Sequence, residues 1–299
     1  MTIAVERVRV SVPATSANLG SGYDTLGLAL DIHDTIEVAV VDEPTHVEVV
    51  GEGAGEVPTG EDHLVVRSIR FALAKLGVDV PGLSLTCRNV VPHARGLGSS
   101  AAAIVGGLAA GYALARGDDA LDEGELVAWA SELEGHPDNV APAVLGGMCV
   151  SWMSDGRGHA QRVPSGGVVA LTLGVPATRL ATTTARGVLP SRIPHDTAAH
   201  AASRCALFVA CVAAGGGDWM AATSDRLHQP YRRDVMPATF GLIDAWRSEE
   251  IPAVLSGAGP SVLAVGEVSE RARADAERRG FRVWTTSLAE SGVEATCLE

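Results

Sequence analysis

Residues 93–103 read HARGLGSSAAA, a glycine-serine turn that runs directly into an alanine-rich apolar stretch. Upstream, LSLTCRNVVP (83–92) has the alternation of a strand. Downstream, the apolar residues continue to about residue 115 with helical spacing. The turn therefore stands between a strand and a helix start. There, unpaired backbone N–H groups and the positive end of the helix dipole favour an anion. Glycines allow positive φ and close approach of the backbone to a phosphate. Ser99 and Ser100 can donate hydroxyls to phosphate oxygens or ligate Mg²⁺, a hard cation that takes oxygen ligands. The plain alternative is a capping serine after a flexible turn, serving helix–sheet packing alone. A dinucleotide fingerprint fits less well, because it needs glycine where Ala101 stands.

Composition narrows what such a loop can do. The chain has 299 residues, room for two domains of ordinary size. With 46% hydrophobic and 20% charged residues it is globular, not disordered. A formal charge of −13 speaks against a nucleic-acid partner but leaves room for a small anion at a locally positive site. Five scattered cysteines without CxxC spacing read as reduced thiols, neither a disulfide framework nor a zinc site. The N-terminal MTIAVERVRVSV has no unbroken apolar core, so it is no signal peptide. AAAIVGGLAAGYALA (101–115) is too short to span a membrane, and a soluble, cytoplasmic protein is expected. Lys75 is the single lysine among 23 basic residues and lies on an amphipathic helical pattern, solvated. Walker-type phosphate clamps and Schiff bases are nearly excluded.

The coarse pattern is mixed. RVRVSVPA and TIEVAVV alternate as half-buried strands, and HVEVVGEG continues the sheet. Asp62 is the N-cap candidate for a helix running to about Leu76 and closed by Gly77. DEGELVAWASELEG (122–135) is a further helix, VLGGMCVSW a buried strand, and SDGRGHAQRVPSGG (154–167) a linker or hairpin. Then come the strand VVALTLGVP (168–176), helices within 195–214 and 235–248, a charged helix over 269–279 and the strand FRVWTTS. Strands and helices alternate without a strict βαβ rhythm, so the class is α+β.

Five further stretches concentrate chemistry. VPATSANLGSGYDTLGLAL (12–30) reads as a turn of small polar residues bearing Asn18 and Asp24, and LSGAGPS (255–261) as a second glycine turn. ELEGHPDNVAP (132–142) gathers Glu134, His136, Asp138 and Asn139 at a helix end. Its spacing matches no strong zinc pattern and suits a carboxylate for Mg²⁺ better. TTTARGVLP (182–190) and DRLHQPYRRD (225–234) each set arginine beside polar residues, a pair able to clamp a carboxylate.

Taken in order, these stretches resemble the GHMP kinases: 12–30 is similar to their first motif, GLGSSAA (96–102) to the second and LSGAGPS to the third. PATSANLG with a following aspartate, HPDNVAP, AR.VLP and HQPYR are similar to the homoserine kinase group within them. The resemblance spans residues 12–261. It implies a ribosomal protein S5 domain 2-like ATP-binding domain (1–160) and a ferredoxin-like domain (161–299), with ATP and L-homoserine at their junction. It implies Mg²⁺-dependent phosphorylation of the homoserine side-chain hydroxyl, a step of threonine biosynthesis.

Carried over by position, Pro92, His93, Ala94, Arg95, Gly96, Leu97, Gly98, Ser99, Ser100, Ala101 and Ala102 would wrap the ATP phosphates. Ser100 and Glu134 would hold Mg²⁺, with Glu132 the alternative to Glu134. Asn18, Asp24 and Asn139 would hold homoserine, its ammonium on Asp24. Arg186 and Arg232, with Thr182 alongside, would take its carboxylate, Arg233 being the alternative to Arg232. Gly257 and Gly259 would complete the substrate wall. Asn139 and Asp24 are the candidates facing the reacting hydroxyl; Asn139, an amide, can orient it but not deprotonate it. A homodimer is a family-level expectation. The rivals are a kinase of the same fold with another hydroxylated acceptor, a catalytically silent binder, and an unrelated oxidoreductase.

Overall fold

The computed structural model describes residues 3–167 and 170–298. Among them the strands form a seven-stranded sheet and a four-stranded sheet. The first contains β1 (Arg7–Asn18), β2 (Gly22–Val41), β3 (His46–Gly51), β4 (Gly82–Asn89), β5 (Met148–Ser154), β6 (Arg157–Val163) and β11 (Glu294–Cys297). Its main order is β11-β1-β2-β4-β3, with β5 joined to β2 and β6 to β5. The second contains β7 (Ala170–Pro176), β8 (Ala253–Leu255), β9 (Val262–Val265) and β10 (Phe281–Ser287), in the order β10-β7-β9-β8. Every neighbour in that second sheet is antiparallel. With helices between β7 and β8 and between β9 and β10, this is the ferredoxin-like βαββαβ arrangement. The α+β class expected from the sequence is the class observed.

Ten α-helices complete the described chain: α1 (Leu64–Lys75), α2 (Ser99–Arg116), α3 (Glu123–Glu134), α4 (Val140–Leu145), α5 (Thr182–Gly187), α6 (His195–Ala214), α7 (Trp219–Ala222), α8 (Gln229–Arg232), α9 (Pro237–Ser248) and α10 (Glu270–Arg278). Helix α2 is the central one. Its alanines and glycines are almost all buried, because their small side chains let α1 and β1 approach on different sides. Val8, Val10, Ile36, Ile69, Leu73, Leu85 and Leu114 make one core between the first sheet and its helices. Leu171, Leu173, Val254 and Leu263 of the second sheet share another core with Leu26, Leu28 and Leu30 of β2. The two sheets are thus packed through β2.

Several local expectations change. Residues 12–30 are not one loop. They belong to two long paired strands joined by a tight turn at 19–21, where Asn18, Leu19 and Gly20 all have positive φ. Low strand propensity of Ala, Gly and Asn hid the strands, and close packing explains the small residues. A Cβ on Gly27 would overlap the carbonyl oxygen of Asp138. The cap of α1 is His63, whose Nδ1 accepts from Val65 N at 3.3 Å, not Asp62. Of the two readings of 154–167, linker or hairpin, the hairpin is the one observed: Ser154 and Arg157 close the β5–β6 turn. Residues 168 and 169 of the expected strand 168–176 lie outside the described residues. The last strand, β11, returns to pair with β1, so residues 294–297 lie in the first sheet. Helix α6 is long and apolar enough, by length and composition, to cross a membrane, which a search for unbroken apolar runs missed. It packs Phe208, Cys211 and Val212 into the core shared with β7.

Gly27→Ala is expected to destabilise the fold by about 1–3 kcal/mol, the usual cost of overpacking. Gly167→Ala, where a Cβ meets nothing within 4 Å, serves as control. Thermal denaturation reads both; equal melting temperatures would contradict the close approach of β2 to residue 138.

Candidate active site

The anion-favouring turn is held by backbone contacts. Gly98 caps α2 in the left-handed region (φ 70°), so Ser99 and Ser100 are the first helical residues. Neither is spent as a side-chain cap. Gly96 (φ 72°) leaves no room for a side chain, since a Cβ would overlap the Ser256 carbonyl. The Ser256 hydroxyl lies 2.7 Å from Gly96 O and 2.8 Å from Ser16 Oγ. Thr15 N donates to Leu97 O at 3.1 Å, and Gly257 N to Ala17 O at 3.0 Å. The three glycine-bearing stretches of the sequence therefore meet at one point. Arg95 is spent on anchoring, donating to Pro176 O, Ala177 O and His93 O.

Two cavities flank this turn and share Ser99 and Ser100. The first, about 300 Å³, has apolar walls from Val12, Ile36, Val57, Leu64 and Val65, with Asn89, His63 and His93 as polar groups. Burial pushes His63 below the ordinary histidine range, so it is neutral there. Asp34, on its floor, accepts from Val90 N and Val91 N at 2.6 and 2.9 Å and so holds the chain entering the loop. His93, Ser99 and Ser100 were expected at the nucleotide from the sequence; Ile36, Val57, His63, Leu64, Val65 and Asn89 were not, because such walls leave no motif.

The second cavity, about 290 Å³, is lined by Gly96, Gly98, Ser99 and Ser100 of the turn, by Glu134, His136, Asp138 and Asn139, and by Asn18, Thr182, Arg186, Arg232 and Gly257. Ser100 Oγ donates to Glu134 Oε2 at 2.8 Å. Glu132 points elsewhere, to Lys75 Nζ at 3.1 Å, so of the two glutamates it is Glu134 that lines the cavity. Partial burial raises the Glu134 carboxyl above the usual carboxylate range, with the Ser100 hydrogen bond acting in the opposite direction. His136 Nδ1 lies 2.9 Å from Asp138 Oδ1, and that carboxylate raises the imidazole. Thr15 Oγ1 donates to Asn139 Oδ1 at 3.0 Å, so the amide turns its nitrogen away from Thr15, with Asp138 Oδ1 at 3.3 Å.

Of the two neighbouring arginines, Arg232 is buried and lines the cavity, whereas Arg233 pairs with Asp244 on the surface at 2.7 Å. Arg186 is bidentate to Asp24, at 2.7 and 3.1 Å, and donates to Tyr23 Oη at 2.7 Å. Asp24 therefore meets the cavity through Arg186 and does not line it. Asn18 is committed at both ends of its amide, accepting from Asp24 N and donating to Gly257 O. Gly259 shapes the turn, its N donating to Ser256 O at 2.8 Å, and lies off the cavity wall, as do Pro92, Leu97 and Ala101. Ala94 lines the second cavity, and Ala102 the first. Thr15, Tyr23 and His228 were missed as site-shaping residues, although each stands inside a stretch singled out by sequence.

Comparison with known proteins agrees with this geometry. Residues 63–147 match the family GHMP kinases N terminal domain. A homoserine kinase of Streptomyces coelicolor is 46% identical over 271 residues, covering 90% of this chain and 87% of its own length. The chain belongs to the homoserine kinase family. A homoserine kinase of Rhodococcus erythropolis is 46% identical over 308 residues, covering 97% and 96%. The crystal structure of homoserine kinase from Cytophaga hutchinsonii superposes with a TM-score of 0.83 at 25% identity, covering 98% of both chains. A mevalonate kinase structure shares the fold, with a TM-score of 0.67 at 13% identity. Membership of the GHMP kinase family implies use of ATP.

The raised Glu134 carboxyl gives a pH test. Its folded pKa lies above its unfolded one, so its contribution is fully present below the ordinary carboxylate range and is lost as pH rises through the raised value. Metal-free Glu134→Gln is therefore expected to melt higher than the parent near neutral pH, with the gap closing toward pH 4. A gap that is constant with pH would contradict the assignment.

Proposed function

We propose that the chain is a cytoplasmic ATP:L-homoserine O-phosphotransferase, which moves the ATP γ-phosphoryl group to the side-chain hydroxyl of L-homoserine and yields O-phospho-L-homoserine. The observation that carries this reading is one cavity lined both by the anion-favouring start of α2 and by two guanidinium groups. ATP would lie with its base in the apolar cavity beside His63 and Asn89 and its phosphates on the N–H groups of 96–100. The nucleotide-binding unit is then residues 1–160, extended by the end of β6 and by β11, and the chain from 161 supplies the second unit.

Ser100 and Glu134 offer two hard oxygens 2.8 Å apart at the cavity wall, a fit for Mg²⁺, which keeps phosphate and water as its other ligands. Bound there, the ion would neutralise charge on the phosphoryl oxygens. The protein's own part is positioning. Asn139, held by Thr15, presents an amide nitrogen that orients the homoserine hydroxyl oxygen. That oxygen attacks the γ-phosphorus in line, the bond to the β–γ bridging oxygen breaks, ADP leaves, and the hydroxyl proton passes to a phosphoryl oxygen. Asp24 is not placed to act as the base, since both its oxygens are engaged by Arg186 and it does not line the cavity. Arg186 and Arg232 take the substrate carboxylate, with Thr182 beside them. Asp24 receives the ammonium as that end of the pair opens. The same reading carries the family-level homodimer, to be checked by sedimentation mass.

ADP release with L-homoserine, L-serine, L-threonine and mevalonate, with and without Mg²⁺, tests the assignment. Turnover is expected with homoserine and Mg²⁺. Preference for another acceptor would overturn the substrate, and ATP binding without any turnover would point to a silent binder. Asn139→Ala is expected to lower kcat by about 100-fold or more, the scale of a lost positioning contact. Asp24→Asn should act chiefly on the homoserine KM; loss of kcat in Asp24→Asn alone would make Asp24 the base.

A further inference from the structure

Arg232 reaches the cavity from the interior, and the hydrogen bonds it makes run to neutral acceptors. Nε donates to Ala185 O at 3.1 Å, and Nη1 faces His228 Nδ1 at 3.0 Å and Gly257 O at 3.4 Å. His228 is fully buried, and its Nε2 lies 2.7 Å from Gly20 O. A guanidinium only donates, so the ring nitrogen facing it must offer a lone pair. A carbonyl oxygen only accepts, so the nitrogen facing Gly20 must carry the proton. One form of the ring satisfies both contacts: the neutral tautomer protonated at Nε2.

The surroundings fix that form. Asp225 accepts from the backbone N–H groups of Leu227, His228 and Gln229 and lies near the Ser21 hydroxyl at 3.0 Å, tying α8 to the 19–21 turn. Its Oδ2 is 3.6 Å from His228 Nε2. Burial nonetheless holds the imidazole below the ordinary histidine range, and the Arg232 charge acts in the same direction. The Tyr23 ring packs 5.3 Å from the imidazole, with the Arg186 and Arg232 guanidinium groups 5.4 and 5.7 Å from its centroid.

We propose that His228 is the positioning residue for Arg232: its Nδ1 lone pair aims the guanidinium into the cavity while its Nε2–H holds the Gly20 turn. One buried ring thereby sets the distance between the carboxylate-binding arginine and the turn flanked by Asn18 and Asp24. It makes the site a gauge for the spacing of an α-amino acid's two charges. This inference rests on reading the cavity as the amino-acid site.

The test uses the whole enzyme with two replacements of different reach. The shorter amide of His228→Asn places an acceptor near the Nδ1 position, whereas His228→Gln places a donor near Nε2 and loses the acceptor. His228→Gln is expected to raise the homoserine KM by about 10- to 100-fold, the loss of one hydrogen bond to a charged group, with the ATP KM unchanged. His228→Asn should recover most of that loss, and in an Arg232→Ala background His228→Gln should add nothing further. Equal damage by both variants, or effects that multiply in the Arg232→Ala background, would overturn the proposal. ¹⁵N-histidine NMR of the unmutated protein needs no variant to fold: it should find His228 neutral with the proton on Nε2. A proton on Nδ1, or an imidazolium at neutral pH, overturns the inference. Failure of the unmutated enzyme to phosphorylate homoserine would instead refute the functional reading, and the NMR result would stand apart from it.

Discussion

The Ser256 hydroxyl sits where three distant parts of the chain touch, 2.7 Å from Gly96 O and 2.8 Å from Ser16 Oγ. With one proton, it donates to the carbonyl and accepts from Ser16. Buried polar groups of this kind are costly when unpaired, so the junction tolerates little displacement. Backbone bonds from Thr15 to Leu97 and from Gly257 to Ala17 close it further, and the missing side chain of Gly96 lets the strands of the two sheets come this near. Asn18, Ser99, Ser100 and Gly257 are mounted on these three segments, and Arg232 reaches them through the Gly257 carbonyl at 3.4 Å. Their mutual lock makes the relative placement of Ser99, Ser100, Asn18 and Arg232 a property of the fold, not of flexible side chains.

Charges of both signs then line one cavity. The helix start and loop N–H groups offer positive potential, Glu134 and Asp138 carry carboxylates, and Arg186 and Arg232 bring guanidinium groups. An overall charge of −13 does not prevent this, because burial and geometry set the local field. The Asp24–Arg186 pair keeps opposite charges of the kind an amino-acid zwitterion would meet, neutralised by one another at 2.7 Å. Tyr23 lies beside both guanidinium groups, and its aromatic face reduces the cost of holding two like charges so near.

Much of this was legible in the sequence, and the boundary of legibility has physical causes. The glycine turn before an apolar helix announces itself, since anion binding at a helix start needs those residue types in that order. Neighbours in sequence are harder to separate. Glu132 and Glu134, or Arg232 and Arg233, project in different directions from a helix, and only the fold says which faces the cavity. The second part of β2 was legible as TIEVAVV, whereas its first part was hidden because glycine, required at Gly27 by the close approach to residue 138, carries weak strand preference. Asp62 in place of His63 is a one-residue error of the kind expected at helix ends. Thr15 and Tyr23 act through partners more than a hundred residues away, and His228 joins its neighbour Arg232 to the equally distant Gly20, so their motifs were visible but their roles were not. The return of β11 to the first sheet is likewise a long-range pairing that no local pattern encodes.

A crystal structure with a non-hydrolysable ATP analogue, Mg²⁺ and L-homoserine tests the account most directly. The account predicts the triphosphate on the N–H groups of 96–100, the homoserine carboxylate between Arg186 and Arg232, and its hydroxyl oxygen against the Asn139 amide in line with the γ-phosphorus. A carboxylate bound away from both arginines, or a hydroxyl facing away from the triphosphate, would contradict it.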